Sequence, residues 1–490
     1  MHIAFLTLQA REPLAYGLMS LTAVLRRAGH RVSFISGSSA HSIADSPDCA
    51  DADVLAMSAT TGLHRVFVNW ARVLRKRFPR KAIVLGGPHP TFFPEVVLQA
   101  PWDGICIGEG EESFPEFLDA WKSGLTWVPA GWWIRRDGGH GPVVRGEERA
   151  PVRNLDSLPR PAYDVFYDAD PHHRALPIRV FLATRGCPHR CTYCFNSELN
   201  DRYKPFGARL RYHDPERVAD DITHVRSRWG GELAWFLDAN FCANPKWLEE
   251  TLAVYRRRVG LPFFCKLRPE RATERVVSAL ANAGCTGVGI GIESGSELLR
   301  RTVLGREGTD AEILAGCGRL VRRGIRILAF NMLGIPGETT EDALRTLALN
   351  VACKVDYAGA TILQPYPGTR LAAWAVKSGA FDGNFDRLSY SYFAPSPLRF
   401  PHPGDRDRLS NLQRLFALAV EFPEVRGRIR WLIDRPAQRA YVHLFQTRHA
   451  WAMQHTFYRA FRPKASEDAG SAEDLLRCCR DLGLKASAVG

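Results

Sequence analysis

Residues Thr184–Asn196 read TRGCPHRCTYCFN. They put Cys187, Cys191 and Cys194 in a C-x3-C-x2-C spacing, just after the apolar run Ile178–Ala183. That run reads as a buried strand, and Arg185-Gly186 as the turn out of it. Three thiolates on one short loop can face a common centre, and soft sulfur suits iron–sulfur clusters or zinc. A cubane cluster held by three cysteines keeps one iron open for a further ligand. A structural zinc site wants four protein ligands, and no second cysteine pair follows at ribbon spacing. His189, between the first two cysteines, is too near in sequence to be an easy fourth ligand. A disulfide would leave one cysteine over.

Downstream of the cysteines the chain repeats a strand–helix rhythm. Strands are expected at Ile178–Thr184, Leu233–Asp238, Pro262–Leu267, Thr286–Glu293, Ile325–Leu333 and Tyr357–Leu363. Helical patterns between them include Pro215–Trp229, Pro245–Arg258, Thr273–Gly284 and Thr339–Lys354. Six such units predict a parallel, partly open (β/α)6 barrel over 178–379, with functional groups at the carboxyl ends of its strands. Asp238 and Asn240 end the second strand, and Lys266 and Arg268 the third. Glu293 and Ser294 lie in GIGIESGS, and Gly334, Pro336, Gly337 and Glu338 in LGIPGET. Gln364, Tyr366 and Pro367 follow the sixth strand. A carboxylate can accept from an amine or a ribose hydroxyl, and an arginine can hold a carboxylate. Taken singly these residues have plainer readings: Gly337-Glu338-Thr339 as a turn and helix start, Lys266 as a surface charge.

Upstream, residues 1–124 alternate short apolar runs with amphipathic helices. The runs are His2–Leu8, Arg31–Ile35, Asp53–Ser58, Ala82–Gly86 and Gly104–Gly108. One helix carries Leu14, Leu18, Leu21 and Leu25 and stops at Gly29; another carries Val66, Trp70, Val73 and Phe78 and stops before Pro79. Five βα units predict an open, doubly wound parallel sheet, whose ligands sit beyond the carboxyl ends of the strands. The loops there are Gln9–Gly17, Ser58–His64, Gly86–Thr91 (GGPHPT) and Gly108–Glu112 (GEGEE). Their glycines let a bulky ligand approach the backbone. No G-x-G-x-x-G follows the first strand, which argues against a dinucleotide.

Residues 125–177 read as a linker, with a hairpin-like GWWIRRDGGHG and then a proline-rich, extended PVRNLDSLPRPAYDVFY. From about Ala380 the rhythm stops. The aromatic and proline-rich SYSYFAPSPLRFPHP, Ser389–Pro403, leads into expected helices at Arg408–Phe422 and Arg426–Phe461. This helical region, 380–490, sits where it could close the barrel mouth. Its arginines among aromatic rings suit an anionic or flat substrate, and a basic amphipathic face could also touch a membrane. The tail after Pro463 starts polar, as frayed termini do.

The chain's net charge of +13 is spread as arginine along helices, as in Arg72–Arg80 and Arg256–Arg258. Solvated helix faces explain that, and no basic run with interleaved aromatics lies near the triad to point to nucleic acid. MHIAFLTLQAREP is not a signal peptide, and no stretch is apolar enough to span a bilayer. A cytoplasmic enzyme is expected, with its 12 cysteines reduced. Most of the nine outside the triad, the Cys478-Cys479 pair among them, read as small buried hydrophobes.

The cysteine motif, with Tyr193 as the aromatic before its third cysteine, resembles that of the radical S-adenosylmethionine (radical SAM) family. The resemblance implies a [4Fe–4S] cluster on Cys187, Cys191 and Cys194, whose open iron chelates S-adenosylmethionine. It implies contacts to S-adenosylmethionine from Tyr193, Asp238, Asn240, Arg268, Glu293, Ser294, Gln364 and Tyr366, with Glu293 for the ribose and Arg268 for the carboxylate. The GGxHxT and GEGE turns ahead of the motif resemble the cobalamin-binding domain of cobalamin-dependent radical SAM enzymes. That implies a cobalamin site at Ser58, Thr60, Thr61, Gly86, Gly87, His89, Gly108, Glu109 and Gly110. The D-x-H-x-x-G of methionine-synthase-type domains, whose histidine binds cobalt, is missing. His89 is therefore expected as a turn residue or corrin contact, and the residue beneath cobalt around Thr61–His64. The implied activity is C-methyl transfer to an unactivated carbon of a small molecule, with an external electron donor. An oxidative cyclase of the type that closes the fifth ring of chlorophyll precursors is the alternative. A transfer-RNA methylthiotransferase would need a second cysteine cluster, and only Cys49 and Cys106 precede the triad. A non-catalytic cobalamin sensor would leave the triad and barrel unexplained.

Overall fold

A computed structural model of the chain describes residues 1–8, 16–169, 171–207, 210–389, 391, 393–436 and 439–452. Loop residues 9–15, Tyr390, Tyr392, the expected helix beyond Ala452, Cys478-Cys479 and the tail after Pro463 lie outside them. The chain divides into two units: 1–175 with 200–213, and 176–199 with 214 onward.

The first unit is built on a seven-stranded sheet: β1 (His2–Leu8), β2 (Arg31–Gly37), β3 (Val54–Ser58), β4 (Ala82–Gly86), β5 (Gly104–Cys106), β6 (Trp132–Arg135) and β7 (Val143–Arg145). Their order is β2-β1-β3-β4-β5-β6-β7, with the first five parallel and the last two antiparallel. The central strands are apolar on both faces because both are covered. Leu55 and Met57 of β3 pack in one cluster with Leu74 and Leu85, while Val54 and Ala56 pack in another with Phe5, Phe114 and Phe117. Helices α1 (Tyr16–Arg27), α2 (His64–Arg77) and α3 (Ser113–Lys122) supply much of that cover. The strand order reverses between β1 and β3, so the ligand crevice of such a sheet opens beside the loop after β3.

The GWWIRRDGGHG hairpin, read from sequence as part of a linker, belongs to this sheet. Trp132 and Ile134, each 1% exposed, alternate inward and pair with Cys106 and Gly104. Trp132 stacks on Phe117 at 4.1 Å, so the hairpin closes the sheet edge with apolar contact as well as backbone bonds.

The second unit holds six parallel strands: β8 (Ile178–Phe181), β9 (Leu233–Phe236), β10 (Phe263–Leu267), β11 (Cys285–Glu293), β12 (Arg326–Leu333) and β13 (Tyr357–Ile362), in sequential order across the sheet. The connecting helices are α4 (Pro215–Trp229), α5 (Pro245–Arg258), α6 (Glu274–Asn282), α7 (Asp310–Arg322) and α8 (Thr340–Ala352). The sequence-based boundaries agree to within a few residues, and α7, which was not foreseen, fills the gap between β11 and β12. Its start is set by a capping box of Thr309 and Glu312, as α8's is by Thr339 and Asp342.

Strand register fixes which residues line the inner face. Phe264 and Lys266 of β10 pair with Gly287 and Gly289 of β11, Gly289 and Gly291 with Leu328 and Phe330 of β12, and these with Tyr357 and Gly359 of β13. The opposite face of β13, with Ala358, Ala360 and Ile362, packs against Leu409, Leu412, Leu415 and Phe416 of α10 (Asp405–Glu421), a helix reached after α9 (Arg370–Lys377). The Gln413 side chain also donates to the Ala360 carbonyl. The longest described helix of the expected cap thus covers the outer flank of the last strand. The expected Arg426–Phe461 helix is interrupted, with Ile429–Ile433 and α11 (Arg439–Trp451) as separate pieces on either side of Pro436. Residues 394–400 do approach the carboxyl ends: Ser396 donates to Leu363, Gln364 donates to Ala394, and Leu398 packs with Ile335 and Leu363.

Candidate active site

The cysteine loop follows β8 and is pinned from two sides. Thr192 donates through its backbone to Leu304 and through its hydroxyl to Val303, and Leu371 donates to the Thr192 carbonyl. Arg370 donates to the Arg190 carbonyl and to Ser197. Gly305 passes under the loop at φ +63°, where a Cβ would meet the Arg190 oxygen at 3.2 Å. Cys187, Cys191 and Cys194 are half-buried and form no disulfide. Burial raises the pKa of Cys187 and Cys194; Cys191 raises both further, and Cys194 also raises Cys187. Among the described residues, these cysteines included, no three His, Cys, Asp or Glu side chains are grouped as if already holding a metal ion.

Beside this loop stands a ladder of charges. Glu293, at the end of β11, takes φ +66°, a left-handed conformation that costs a non-glycine residue energy and recurs at functional sites. Its carboxylate accepts from the Tyr193 hydroxyl at 3.0 Å and from Arg306 at 3.1 Å. Arg306 also donates to the Tyr193 oxygen and the Gly291 carbonyl, and approaches Glu270, which is ion-paired with Arg268. Burial raises the Glu293 carboxyl, partly offset by Arg306 and by the Tyr193 hydrogen bond. Burial works against the Arg306 charge, but Tyr193, Glu293 and Glu270 hold its pKa above the usual arginine value. Arg306 was missed from sequence, since it lies on the loop after the strand-end motif and only the fold returns it to Glu293.

Other residues expected at this site differ in access. Asp238 is 0% exposed; it accepts from the Thr184 hydroxyl at 2.6 Å and the Ala183 amide at 3.2 Å, and burial raises it to about 6. It braces the strand that leads into the cysteines. Ser294 is also fully buried and caps Ser296. Asn240 and Gln364 are buried, and Gln364 Oε1 is left without a partner. Tyr366 is half-buried against Phe195. In the LGIPGET turn Glu338 accepts from the Gly334 and Ile335 amides, and burial raises it to about 8.

In the first unit, the loop after β3 meets the GGPHPT turn. His89 accepts or donates at Nδ1 with the Thr61 hydroxyl, at 3.1 Å, and stacks on His64 at 3.6 Å. Its Nε2 is buried without a partner. Burial, helped by His64, lowers His89 to about 3. Gly87, at φ +94°, has no room for a Cβ, which would lie 2.6 Å from the Ser58 hydroxyl. Gly86 is half-buried beside it, and Thr60 is exposed. In the GEGEE turn, Gly108 donates to Thr91 and Gly110 packs by Leu21. Glu109 is held by both arms of Arg211 and by the Val152 amide, so its carboxylate ties later chain onto this unit.

Both units resemble known proteins. Residues 181–349 match the radical SAM superfamily and residues 11–118 the B12 binding domain. The chain is 30% identical over 334 residues to an uncharacterized methyltransferase, PH0819, of Pyrococcus horikoshii, covering 66% of this chain and 70% of that protein. It is 26% identical over 340 residues to the anaerobic magnesium-protoporphyrin IX monomethyl ester cyclase of Cereibacter sphaeroides, covering 65% and 52%. The structure of OxsB, a cobalamin-dependent S-adenosylmethionine radical enzyme solved with aqua-cobalamin and S-adenosylmethionine, shares the fold with TM-score 0.67 and 14% identity over 98% of this chain and 75% of that one. With a [4Fe–4S] cluster, S-adenosylmethionine and cobalamin as its cofactors, the chain is an enzyme of the cobalamin-dependent radical SAM family, among its methyltransferase-like members.

Proposed function

We propose that the enzyme methylates an unactivated carbon of a small molecule. The observation that carries this is the pairing, in one chain, of a three-thiol loop beside a parallel barrel with a doubly wound sheet whose switch-point turns are kept open by glycine. The donor sets fit the cofactors. Three thiols suit a cluster with one open iron. The unpartnered Gln364 Oε1 and His89 Nε2 are buried polar atoms, of the kind a bound ligand satisfies.

When bound, the cluster and one S-adenosylmethionine supply a 5′-deoxyadenosyl radical, and cobalamin supplies a methyl group drawn from a second S-adenosylmethionine. The chain's own residues bind and orient. Cys187, Cys191 and Cys194 hold the cluster. Glu293, set by Arg306 and Tyr193, takes the ribose hydroxyls, and Arg268 the carboxylate. Gln364, Tyr366 and Asn240 line the same end, while Asp238 and Ser294 support it from behind. Ser58, Thr60, Thr61, Gly86, Gly87, Gly108 and Gly110 approach the corrin, with His89 as a neutral contact and Glu109 fixing its turn. The loops over the barrel mouth, 394–400 among them, keep water from the radical. An external reductant provides the electron. Among the described residues no helix is long and apolar enough to cross a membrane. None of the ten described cysteines forms a disulfide, in keeping with a reducing cytoplasm.

The similarity to the cyclase supports a second reading, ring closure without methyl transfer. Products separate the two. Methyl transfer should yield S-adenosylhomocysteine and 5′-deoxyadenosine together, about one each per product. Turnover giving 5′-deoxyadenosine alone would replace our reading with the cyclase.

A further inference from the structure

We propose that the lumen of the second unit's sheet, between Lys266 and Phe330, is the substrate pocket, and that it takes a carboxylate carried on a flat ring. This rests on the proposed function, for which it names the substrate class.

The first observation is an uncompensated cation. Register sets Lys266 on the inner face, level with Gly289. Its ammonium group donates to the Leu237 carbonyl at 3.2 Å, and no carboxylate among the described residues lies within ion-pair reach. Asp238, the one acid that acts on it electrostatically, turns its oxygens to Thr184 and Ala183. Burial lowers the Lys266 pKa. A lysine drawn out of water without a counter-ion is unfavourable, and an anionic ligand would offset that.

The second observation is apolar. Phe330 is 39% exposed although it lies mid-strand in the sheet. Its inner-face neighbours on either side are glycines, Gly291 on β11 and Gly359 on β13. A Cβ on Gly289 would come within 2.9 Å of the Phe330 ring and 3.2 Å of Lys266 Cγ. The ring and the lysine stem therefore rest side by side over this glycine, with Phe264 against them, close enough to serve one ligand together. Beneath them Trp235 stacks on Phe264 at 3.9 Å, and Leu328, Tyr357, Ala417 and Ala452 pack around that pair. Ring and ammonium are thus backed by packed side chains toward the amino ends of the strands, and Phe330 stands exposed one inner-face step nearer the carboxyl ends. An exposed ring offers stacking, and an ammonium with only a carbonyl as partner still offers a charge-assisted bond. Lys266 stands one layer deeper than Arg268, so the assignment does not draw on the residues proposed for S-adenosylmethionine.

The test uses the full-length protein with cluster and cobalamin, unreduced, titrated calorimetrically with 2-naphthoate and with neutral 2-naphthamide. Wild type should bind both, the anion more tightly. Lys266→Met should weaken 2-naphthoate at least tenfold, about 1.4 kcal/mol, and leave 2-naphthamide within twofold. Lys266→Arg should retain most of the anion affinity, and Phe330→Ala should weaken both probes. S-adenosylmethionine affinity should be the same in Lys266→Met as in wild type. Equal 2-naphthoate binding by wild type and Lys266→Met, or no saturable binding by wild type, would overturn the pocket. A loss of S-adenosylmethionine affinity instead would reassign Lys266 to that cofactor. If Lys266→Met does not fold, Phe330→Ala and Lys266→Arg still decide, since unaltered binding by the first or lost anion binding by the second contradicts the proposal. None of these readouts needs turnover, so failure of the methyl-transfer reading would show only in the product ratio.

Discussion

Glu293 concentrates most of the site's physics in one side chain. It ends a strand in a left-handed conformation, is largely buried, and has Arg306 as its charge partner. Removing one partner of a buried pair leaves the other uncompensated. Arg306→Met should therefore destabilise the second unit by about 3 kcal/mol, and adding Glu293→Gln should recover a large part of it. Chemical denaturation of the single and double variants checks this; equal losses would mean that the pair is not coupled. The glutamate was legible from GIGIESGS because a carboxylate at a strand end has few structural uses there. Its arginine was not, because the Tyr193, Glu293 and Arg306 contact is made only by the fold. His89 was legible as a turn residue, but its stacking on His64 was not. Its folded pKa, near 3, lies below the unfolded value of about 6.5. Above pH 6.5 both states are neutral, and as pH falls toward 3 only the unfolded chain takes the proton, so stability is lost on acidification. Between pH 7 and 5 this amounts to about 2 kcal/mol. His89→Asn, which keeps an acceptor for Thr61, should shrink the acid loss of the first unit by that amount.

Among the elements, the parallel strands were easiest to read, since apolar runs bounded by glycine and followed by helical periodicity admit few other arrangements. The Trp132–Arg145 hairpin misled because alternation reveals a strand but not the sheet it joins. The segment after residue 380 divides its contacts. Its place after an open barrel suggested a cap; residues 394–400 reach the carboxyl ends, while Leu409, Leu412, Leu415 and Phe416 are at most 1% exposed against the outer face of β13. A chain ending at Gly379 would uncover that face. We expect it to aggregate or lose the protection of amides in Tyr357–Ile362, as read by hydrogen exchange. A soluble truncation with those amides fully protected would show that α10 is dispensable to the barrel. The full-length Phe416→Ala variant should be destabilised by about 3–5 kcal/mol.

Across the molecule, two units each carry a site that its own strands and loops build, and the cofactor chemistry assigned to them is separable. Many of the arginines behind the basic charge are engaged locally. Arg75 holds Asp103 and three backbone carbonyls, and Arg300 ties Ser294 to Gly308 and Asp310. The separation can be measured by assaying iron and cobalamin in anaerobically purified wild type and in the Cys187→Ala/Cys191→Ala/Cys194→Ala variant. Wild type should carry about four irons and one cobalamin per chain, and the variant should lose the iron and keep the cobalamin. Cluster iron retained by the variant would contradict the assignment of the three thiols and, with it, the chemistry built on them.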